Sequence, residues 1–410
     1  MGKDVRKVVI VGAGHSAAHL IAELRRHGFP GAIVLIGAEA WLPYQRPPLS
    51  KAFLGGGDFD ESRLHLRGAS FYEDARVSPR LGARVGSIDR GRSVVCLEDG
   101  TTESYDRLVL ATGAKARDLD IPSRSLSRIG TLRGLEDARR LRDELTCCRH
   151  LVVVGGGFVG LEVASTASKR GVHVTVLEAG TRLLARSVSP FIAHALHQAH
   201  LDAGIDIRLQ AQVTAFEGDG AVRSVVCSDG KVLPADSVLI GIGSEPETEL
   251  AAGAGLVVDR NGIVVDEMGR TSDPAIFAVG DCAAVHDSAT GRLLRLESVQ
   301  CAVDQAAVAA ACLSAAAAVP RAPAWFWSEQ HRMKLQIAGL ALPDDQAVVR
   351  HASEDSFSEF YLRDGRLVAV AAINRPADVA MVRQALAAGA LCPDPQRLAD
   401  TRVPLNDVLA

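Results

Sequence analysis

The stretch Leu151–Gly160, LVVVGGGFVG, constrains the fold of this chain more than any other. Leu151–Val154 reads as a fully buried strand, and Gly155, Gly157 and Gly160 follow as G-x-G-x-x-G. An apolar-periodic helix is expected to about Arg170, then a second strand, His173–Leu177, ending on the acid Glu178. Strand, glycine turn, helix, strand and acid in this order form a complete dinucleotide-binding unit. In such a unit Gly155 permits the tight turn, Gly157 lets a pyrophosphate approach the backbone, and Gly160 lets helix and strand pack closely. The phosphates rest on the helix N-terminus, where free N–H groups and the helix dipole favour anions. Glu178 is placed to accept hydrogen bonds from an adenosine ribose diol, and its charge repels a 2′-phosphate, which argues for NADH over NADPH.

The same pattern occurs earlier. Lys7–Val11 reads as a strand, Gly12, Gly14 and Ala17 form G-x-G-x-x-A, a helix runs to about His27, and Ala32–Ile36 makes the second strand. Two such folds in one chain suit a bound cofactor in one and a diffusing cofactor in the other, with hydride passing between them. Here the acid at the end of the second strand is replaced by Ala38, with Glu39 one residue later.

At 410 residues the chain exceeds one core, and about two to four domains are expected. A net charge of −4 argues against nucleic acid as a partner. The alanine-rich stretch Ala302–Val319 contains Asp304 and Gln305 and is too polar and short to span a bilayer; its small side chains suit a helix packed closely on a neighbour. The N-terminus is expected to enter a strand by about Lys7, with no room for a charged-then-apolar leader and cleavage site, and Met1–Arg6 lacks the hydroxyl residue that myristoylation favours. A cytoplasmic protein is expected. The eight cysteines show no C-x-x-C and no other metal-ligand spacing, so no metal is expected, and the vicinal pair Cys147–Cys148 reads as two reduced thiols.

Trp41–Lys51, WLPYQRPPLSK, is a loop held by three prolines that fixes Lys51 in place. Its lysine is either a solvated surface residue or a cation that stabilises charge developing on a flavin ring. Leu81–Asp99 reads as short alternating strands with a turn at Glu98–Gly100, and Asp106–Gly113 as a buried strand whose Ala111-Thr112-Gly113 ending lets backbone approach a cofactor. Ala114–Arg149 reads as the crossing into the second domain. A helix is expected over Pro190–Ala203, strands over Ile205–Gly218 and Val222–Val226, and a turn at Ser228–Gly230. A strand then ends at Gly243 as the earlier one ends at Gly113. Ala275–Cys282 is a strand ending in Gly280-Asp281, with Asp281 placed for a ribityl hydroxyl. Glu297–Ala311 opens a helix whose N-terminal amides, at Glu297, Ser298 and Val299, could face a flavin's pyrimidine edge. Val319–Pro323 marks a boundary, after which Leu335–Gly339, Ala347–Arg350, Ser358–Leu362 and Leu367–Ala372 alternate like an antiparallel sheet.

These segments, taken together, resemble the FAD-dependent, NADH-using ferredoxin reductases of bacterial cytochrome P450 and Rieske-dioxygenase systems, the putidaredoxin reductase type within the glutathione-reductase-like fold. The motifs are VGAGHSAA, RPPLSK, LATG, GGGFVGLE, VGDC, ESVQCA and WFWSEQ, spread over essentially the whole chain. The implied fold class is α/β: an FAD-binding Rossmann-like domain (1–114 and 245–322), an NAD-binding one (115–244) and a C-terminal α+β domain (323–410) with an antiparallel sheet. By resemblance Gly14, Ser16, Arg46, Lys51, Val85, Arg133, Asp281 and Val299 contact FAD, in a site that also draws on Gly12, Glu39, Ala111, Thr112, Gly113, Gly280, Glu297 and Ser298. Gly155, Gly157, Gly160 and Glu178, with Gly243, contact NADH. Glu162 falls where the family places a carboxylate beside Lys51, near the flavin's reactive nitrogen, and Trp327 falls at the electron exit. Ala38 and His15 depart from the family's first fingerprint, which bears on the adenosine-ribose contact.

The implied activity is hydride transfer from NADH to FAD, followed by single-electron transfer to a small acidic [2Fe–2S] ferredoxin. The implied protein is a monomer or weak dimer with no membrane partner. Arg292, Arg295, Arg332 and Lys334 are candidates for a basic docking patch. No cysteine precedes Cys96, whereas disulfide reductases and NADH oxidases of this fold carry their redox cysteines early, so electrons are expected to leave directly from the flavin. The alternatives are an NADH-dependent quinone or small-molecule reductase or oxidase, and a slow redox-sensing flavoprotein of the apoptosis-inducing-factor kind.

Overall fold

The computed structural model describes residues 5–287, 291–317, 319–320, 322–389 and 391–409. Of the segments discussed above, Met1–Asp4, Ala318 and Arg321 lie outside the described residues. The chain forms two compact units: Met1–Gln45, Glu61–Lys115 and Glu245–Ala322 make the first, and Arg46–Asp60, Ala116–Ser244 and Pro323–Ala410 the second.

The first unit is built on a parallel sheet in which Lys7–Val11 lies between Ala32–Gly37 and Arg107–Leu110, with Val77–Leu81 and Ile276–Ala278 at the edges. Val8, Val9 and Ile10 are fully buried, as a central strand covered on both faces requires. The helix His15–Arg26 packs Ala17, Leu20, Ile21 and Leu24 into one core with Ala306, Ala309, Ala310 and Leu313 of the helix Val299–Leu313. Small side chains thus bring the alanine-rich helix close to its neighbour. A three-stranded antiparallel sheet (Val85–Asp89, Val94–Leu97, Thr102–Ser104) completes the repeat unit.

The second unit repeats this plan. His150–Val154 lies between His173–Glu178 and Ser237–Ile240, with Asp206–Leu209 and Ile129–Gly130 at the edges, all parallel. Its antiparallel companion is Val213–Asp219, Ala221–Cys227 and Val232–Pro234. The repetition seen in the glycine motifs therefore extends to the order of four strands and to the accessory sheet; the fifth strand comes late in the chain in the first unit, Ile276–Ala278, and before the glycine motif in the second, Ile129–Gly130. The C-terminal residues of the unit form a five-stranded antiparallel sheet, ordered Trp325–Gln330, Met333–Gly339, Arg366–Ile373, Ser356–Arg363 and Gln346–Ser353, with the helix Pro376–Ala388 packed on it.

Three local expectations are corrected. Ile205–Gly218 is two strands in different sheets, because Gln210 takes a left-handed φ of 54° between them. The crossing segment contains a helix, Leu135–Cys147, which buries Leu135, Ala138, Leu141 and Leu145. The helix expected from Glu297 starts at Val299, where the Ser298 hydroxyl accepts from the Cys301 N–H; Glu297 lies outside it and pairs with Arg295.

Candidate functional site

Both glycine fingerprints adopt one geometry. Gly12 has a φ of +109°, and a Cβ there would lie 2.1 Å from the carbonyl oxygen of Ala111. Gly155 has a φ of +107°, and a Cβ there would lie 2.5 Å from the carbonyl oxygen of Gly241. Each first glycine thus lets the turn press against the neighbouring strand's end, where the residue that meets it is small: Ala111 in one unit, Gly241 in the other. Gly160 lies 2.7 Å, measured from an added Cβ, from the Gly155 carbonyl, which locks helix to turn. The middle glycines differ: a Cβ on Gly14 would meet nothing within 4 Å, and on Gly157 only the Gly241 oxygen, at 3.6 Å. Both are the N-caps of their helices, neither has a side chain to cap the helix amides, and neither helix has an acid in its first turn. An open concavity edged by uncapped N–H groups fits a dinucleotide's diphosphate.

Around the first fingerprint, buried Ser16 lies next to Gly280: a Cβ on Gly280, at φ +80°, would be 2.4 Å from the Ser16 hydroxyl. Gly280 N–H donates to Gln305 Oε1 (2.6 Å), and Asp281 follows in a short 3-10 turn, Gly280–Cys282. The Thr112 hydroxyl donates to the Glu247 carbonyl (2.9 Å), and Gly113 takes a φ of +75°. The strand Ala32–Gly37 ends before Ala38, and Glu39 accepts from the Tyr44 hydroxyl (2.6 Å). Val85 opens the first antiparallel strand, half-buried.

In the second unit, Glu178 accepts from Gly156 N–H through one oxygen and from Gly180 N–H through the other, each at 2.6 Å. Two donors leave lone pairs on a carboxylate for further acceptance, so the acid is fixed against the glycine turn and still able to bind hydroxyls. Gly243, at φ +114°, faces Arg186: an added Cβ would be 3.2 Å from its guanidinium. Arg46 donates to the Arg133 carbonyl (2.7 Å), and Asp137 accepts from Arg133 and Gly134 N–H (both 2.9 Å) at the start of the following helix.

Lys51 and Glu162, 111 positions apart, form an ion pair at 2.6 Å. The helix Phe158–Lys169 is buried from Gly160 through Ala167, so Glu162, 6% exposed, needs partners. Among the described residues it has three: Lys51 and the Ser50 hydroxyl (2.5 Å) on one oxygen, and the Ser328 hydroxyl (2.7 Å) on the other. The Thr166 hydroxyl donates to the Ser50 carbonyl (2.9 Å) and anchors the proline loop's end. Ser328 belongs to the strand Trp325–Gln330, whose alternation buries Ser328 and Gln330 and leaves Trp327 and Glu329 on the other face. Trp327 stacks on Trp325 (4.8 Å between centroids, 25°) and lines a cleft of about 250 Å³ with Glu329, Lys334, Gln336, Asn374 and Pro376. Lys334 is exposed there; Arg332 pairs with Asp355 at 2.9 Å. In the first unit Arg292 is exposed and Arg295 pairs with Glu297.

Sequence reasoning missed Ser50, Ser328, Gln330 and His200 as the setting of Glu162. Their only local signal was the serine beside Lys51 and the period-two spacing of Ser328 and Gln330. His200, fully buried, contacts Gln330 (2.9 Å) and His331 (3.0 Å). Burial pushes both histidines down to about 4, with the neighbouring His197 adding to the effect at His200, and His200 and Lys169 at His331. Both are therefore neutral when folded, whereas unfolded histidines protonate near pH 6.5. Between those values the unfolded chain binds more protons, so stability is full above pH 6.5 and falls as pH drops towards 4. The loss approaches about 1.4 kcal/mol per pH unit for His200 and is smaller for His331, which water screens. Denaturant midpoints compared at pH 7 and about pH 5 should show this fall, shallower in His331→Asn. A loss equally steep in that variant would contradict the assignment of His331.

Among the described residues no helix is long and apolar enough to cross a membrane. The profile of the pyridine nucleotide-disulphide oxidoreductase family matches residues 6–306, and the Reductase C-terminal profile matches 325–409. The chain is 44% identical to rhodocoxin reductase of Rhodococcus erythropolis over 405 residues, covering 98% of this chain and 94% of that protein. It is 42% identical to the ferredoxin–NAD(+) reductase component of the anthranilate 1,2-dioxygenase system of Burkholderia cepacia, covering 98% of each. Among solved structures, the covalent putidaredoxin reductase–putidaredoxin complex superposes with a TM-score of 0.95 at 41% identity, covering 98% of both chains. With these motifs, this repeated sheet topology and these relatives, the chain belongs to the pyridine nucleotide-disulphide oxidoreductases that carry a Reductase C-terminal domain, the putidaredoxin reductase type, whose cofactors are FAD and NAD(H).

Proposed function

We propose that this protein is an NADH:ferredoxin oxidoreductase that supplies single electrons to a [2Fe–2S] ferredoxin serving a cytochrome P450 or Rieske oxygenase. The observation that carries the reading is the pair of open glycine cradles at Gly14 and Gly157, one for a resident and one for a diffusing dinucleotide. Residues 1–114 with 245–322 are assigned to FAD, 115–244 to NADH, and 323–410 to the partner. Bound FAD supplies the chemistry, accepting hydride and releasing electrons one at a time.

The chain's own residues bind and orient. Gly12 and Gly14 admit the FAD diphosphate to the first helix's amides; Ser16, Gly280 and Asp281 hold the ribityl chain, and Ser298 and Val299 present helix amides to the ring. Glu39, Val85, Ala111, Thr112, Gly113, Arg46, Arg133 and Glu297 complete this binding set. Gly155, Gly157 and Gly160 receive the NADH diphosphate, Gly243 admits the nicotinamide side, and Glu178 takes the ribose diol. Glu178's two N–H bonds fix the carboxylate where a 2′-phosphate would meet its charge, so NADPH is disfavoured. Lys51, held by Glu162, supplies a cation to the bound flavin, and Trp327 lies on the electron exit. A cytoplasmic setting is supported by eight cysteines, none in a disulfide.

The partner is an acidic ferredoxin drawn to exposed basic side chains, Lys334 and Arg292 before the already paired Arg295 and Arg332. The test is NADH oxidation by the purified yellow protein, with and without a [2Fe–2S] ferredoxin and cytochrome c. Ferredoxin-dependent cytochrome reduction is expected, with NADPH at least about tenfold poorer, and salt should slow the ferredoxin reaction more than reduction of ferricyanide. Rapid NADH oxidation in air that ignores ferredoxin would move the assignment to an oxidase or small-molecule reductase.

A further inference from the structure

Glu162 is the end of a hydrogen-bond chain whose direction can be worked out from its own chemistry. A carboxylate only accepts, so the Ser328 proton lies on the 2.7 Å bond to Glu162 Oε1. Ser328 Oγ must then accept from its other neighbour, and Gln330 Nε2 donates to it at 3.1 Å. The remaining end of that amide, Gln330 Oε1, faces His200 Nε2 at 2.9 Å, so His200 Nε2 carries a proton. A neutral imidazole has one N–H, which leaves His200 Nδ1 as an acceptor for His331 Nε2 at 3.0 Å. The backbone of His331 is pinned on both sides: its N–H donates to the Ser165 hydroxyl (2.7 Å) and its carbonyl accepts from Lys169 (3.3 Å). Every proton in the series points towards Glu162.

We propose that His200 and His331, acting through Gln330 and Ser328, are positioning residues for the Lys51–Glu162 pair: the one-way chain fixes the orientation of the Glu162 carboxylate and hence the place of the Lys51 ammonium. This inference rests on the reading of that pair as the group acting on the bound flavin.

A serine hydroxyl rotates freely and a glutamine amide flips at little cost unless each end has a committed partner. Here the partner that settles both is a buried, neutral, singly protonated His200. Aligned donors polarise one another and strengthen the last bond, the one to the carboxylate. Among the described residues Lys51, on a flexible four-carbon stem and 21% exposed, has only the Pro47 carbonyl (3.3 Å) besides the carboxylate and the loop to hold it. Loss of the chain leaves the ion pair able to form but in more than one geometry. The chain's elements are the helix Pro190–Asp202, the hairpin at His331 and the helix Phe158–Lys169, all within one unit.

The experiment uses the FAD-loaded protein with ¹⁵N-labelled histidine. Long-range ¹H–¹⁵N spectra should show both His200 and His331 as Nε2–H tautomers at neutral pH; a His200 Nδ1–H tautomer overturns the proposal whatever the kinetics. In rapid-mixing reduction of the flavin by NADH, His200→Leu should be slowed about tenfold with the NADH dissociation constant unchanged. His200→Gln, which returns an N–H near Nε2, should recover most of that loss. Ser328→Ala, which removes one hydroxyl and little volume, should match His200→Leu and serves if the leucine variant does not fold. Equal loss in His200→Leu and His200→Gln, or no loss in Ser328→Ala, overturns the proposal. Lys51→Met separates the two levels: if it reduces as fast as the parent, the reading of the ion pair fails and this inference with it. If Lys51→Met is slow while His200→Leu and Ser328→Ala are not, this inference alone fails.

Discussion

Gly12→Ala is expected to yield a chain that accumulates little folded protein and carries no FAD, while Gly14→Val folds and fails only to bind it. The two positions are two residues apart and look alike in the motif, yet the structure separates them. At Gly12 the added methyl would sit 2.1 Å from the Ala111 oxygen and 2.4 Å from its carbonyl carbon, on a backbone with φ +109°. Both obstacles are main chain, so no rotamer relieves them. A left-handed backbone costs an alanine about 1–2 kcal/mol and overpacking about 1–3 kcal/mol more. Together these take a large share of the roughly 5–15 kcal/mol that holds a domain. At Gly14 the backbone is extended, φ −107° and ψ −161°, and nothing lies within 4 Å, so a side chain there meets only what binds in that space. Circular dichroism with flavin absorbance checks both. A well-folded yellow Gly12→Ala, or a Gly14→Val with normal flavin content, would contradict the reading of the cradle.

That contrast also shows what is legible in the sequence alone. The strands from Lys7 and His150 and the turns at Gly12 and Gly155 stand out because four buried apolar residues followed by spaced glycines have few other solutions. The break at Gln210 was not legible, since a left-handed glutamine has no compositional mark and the apolar pattern runs on through it. The helix Leu135–Cys147 was missed although Leu135, Ala138, Leu141 and Leu145 do keep a helical period, because arginines and acids fill the positions between and resemble a linker. Within the site, Glu162 carried one faint local signal, a carboxylate among Leu161, Val163 and Ala164 on an apolar helix. Its meeting with Lys51 came only from resemblance, because no local pattern links residues 111 apart. The His200–His331 contact had no signal at all: two histidines 131 positions apart become neighbours only when the hairpin turn at His331, φ 53°, is laid beside the end of another helix.

Lys51→Met should lower the rate of flavin reduction by NADH about 10²- to 10³-fold, the usual loss when one preorganised charge-stabilising donor is removed from an active site. Glu162→Gln should lose less, about tenfold, because an amide oxygen still accepts from Lys51 and from Ser50. The double variant Lys51→Met/Glu162→Leu decides what the carboxylate does. If Glu162 acts only by holding Lys51, its loss adds nothing once Lys51 is gone, and the double variant reduces as slowly as Lys51→Met alone. Stability should move the other way. Lys51→Met strands a buried carboxylate, with two hydroxyls but no cation, and breaking a buried pair from one side costs about 3–5 kcal/mol, less here for the hydroxyls that remain. Removing both charges together removes that penalty, so the double variant should unfold at higher denaturant than Lys51→Met. Activity that stays down while stability returns would separate a pair kept for chemistry from one kept for the fold. If instead the two rate losses multiply in the double variant, Glu162 acts on the reaction independently of Lys51, and the division of roles made here is wrong.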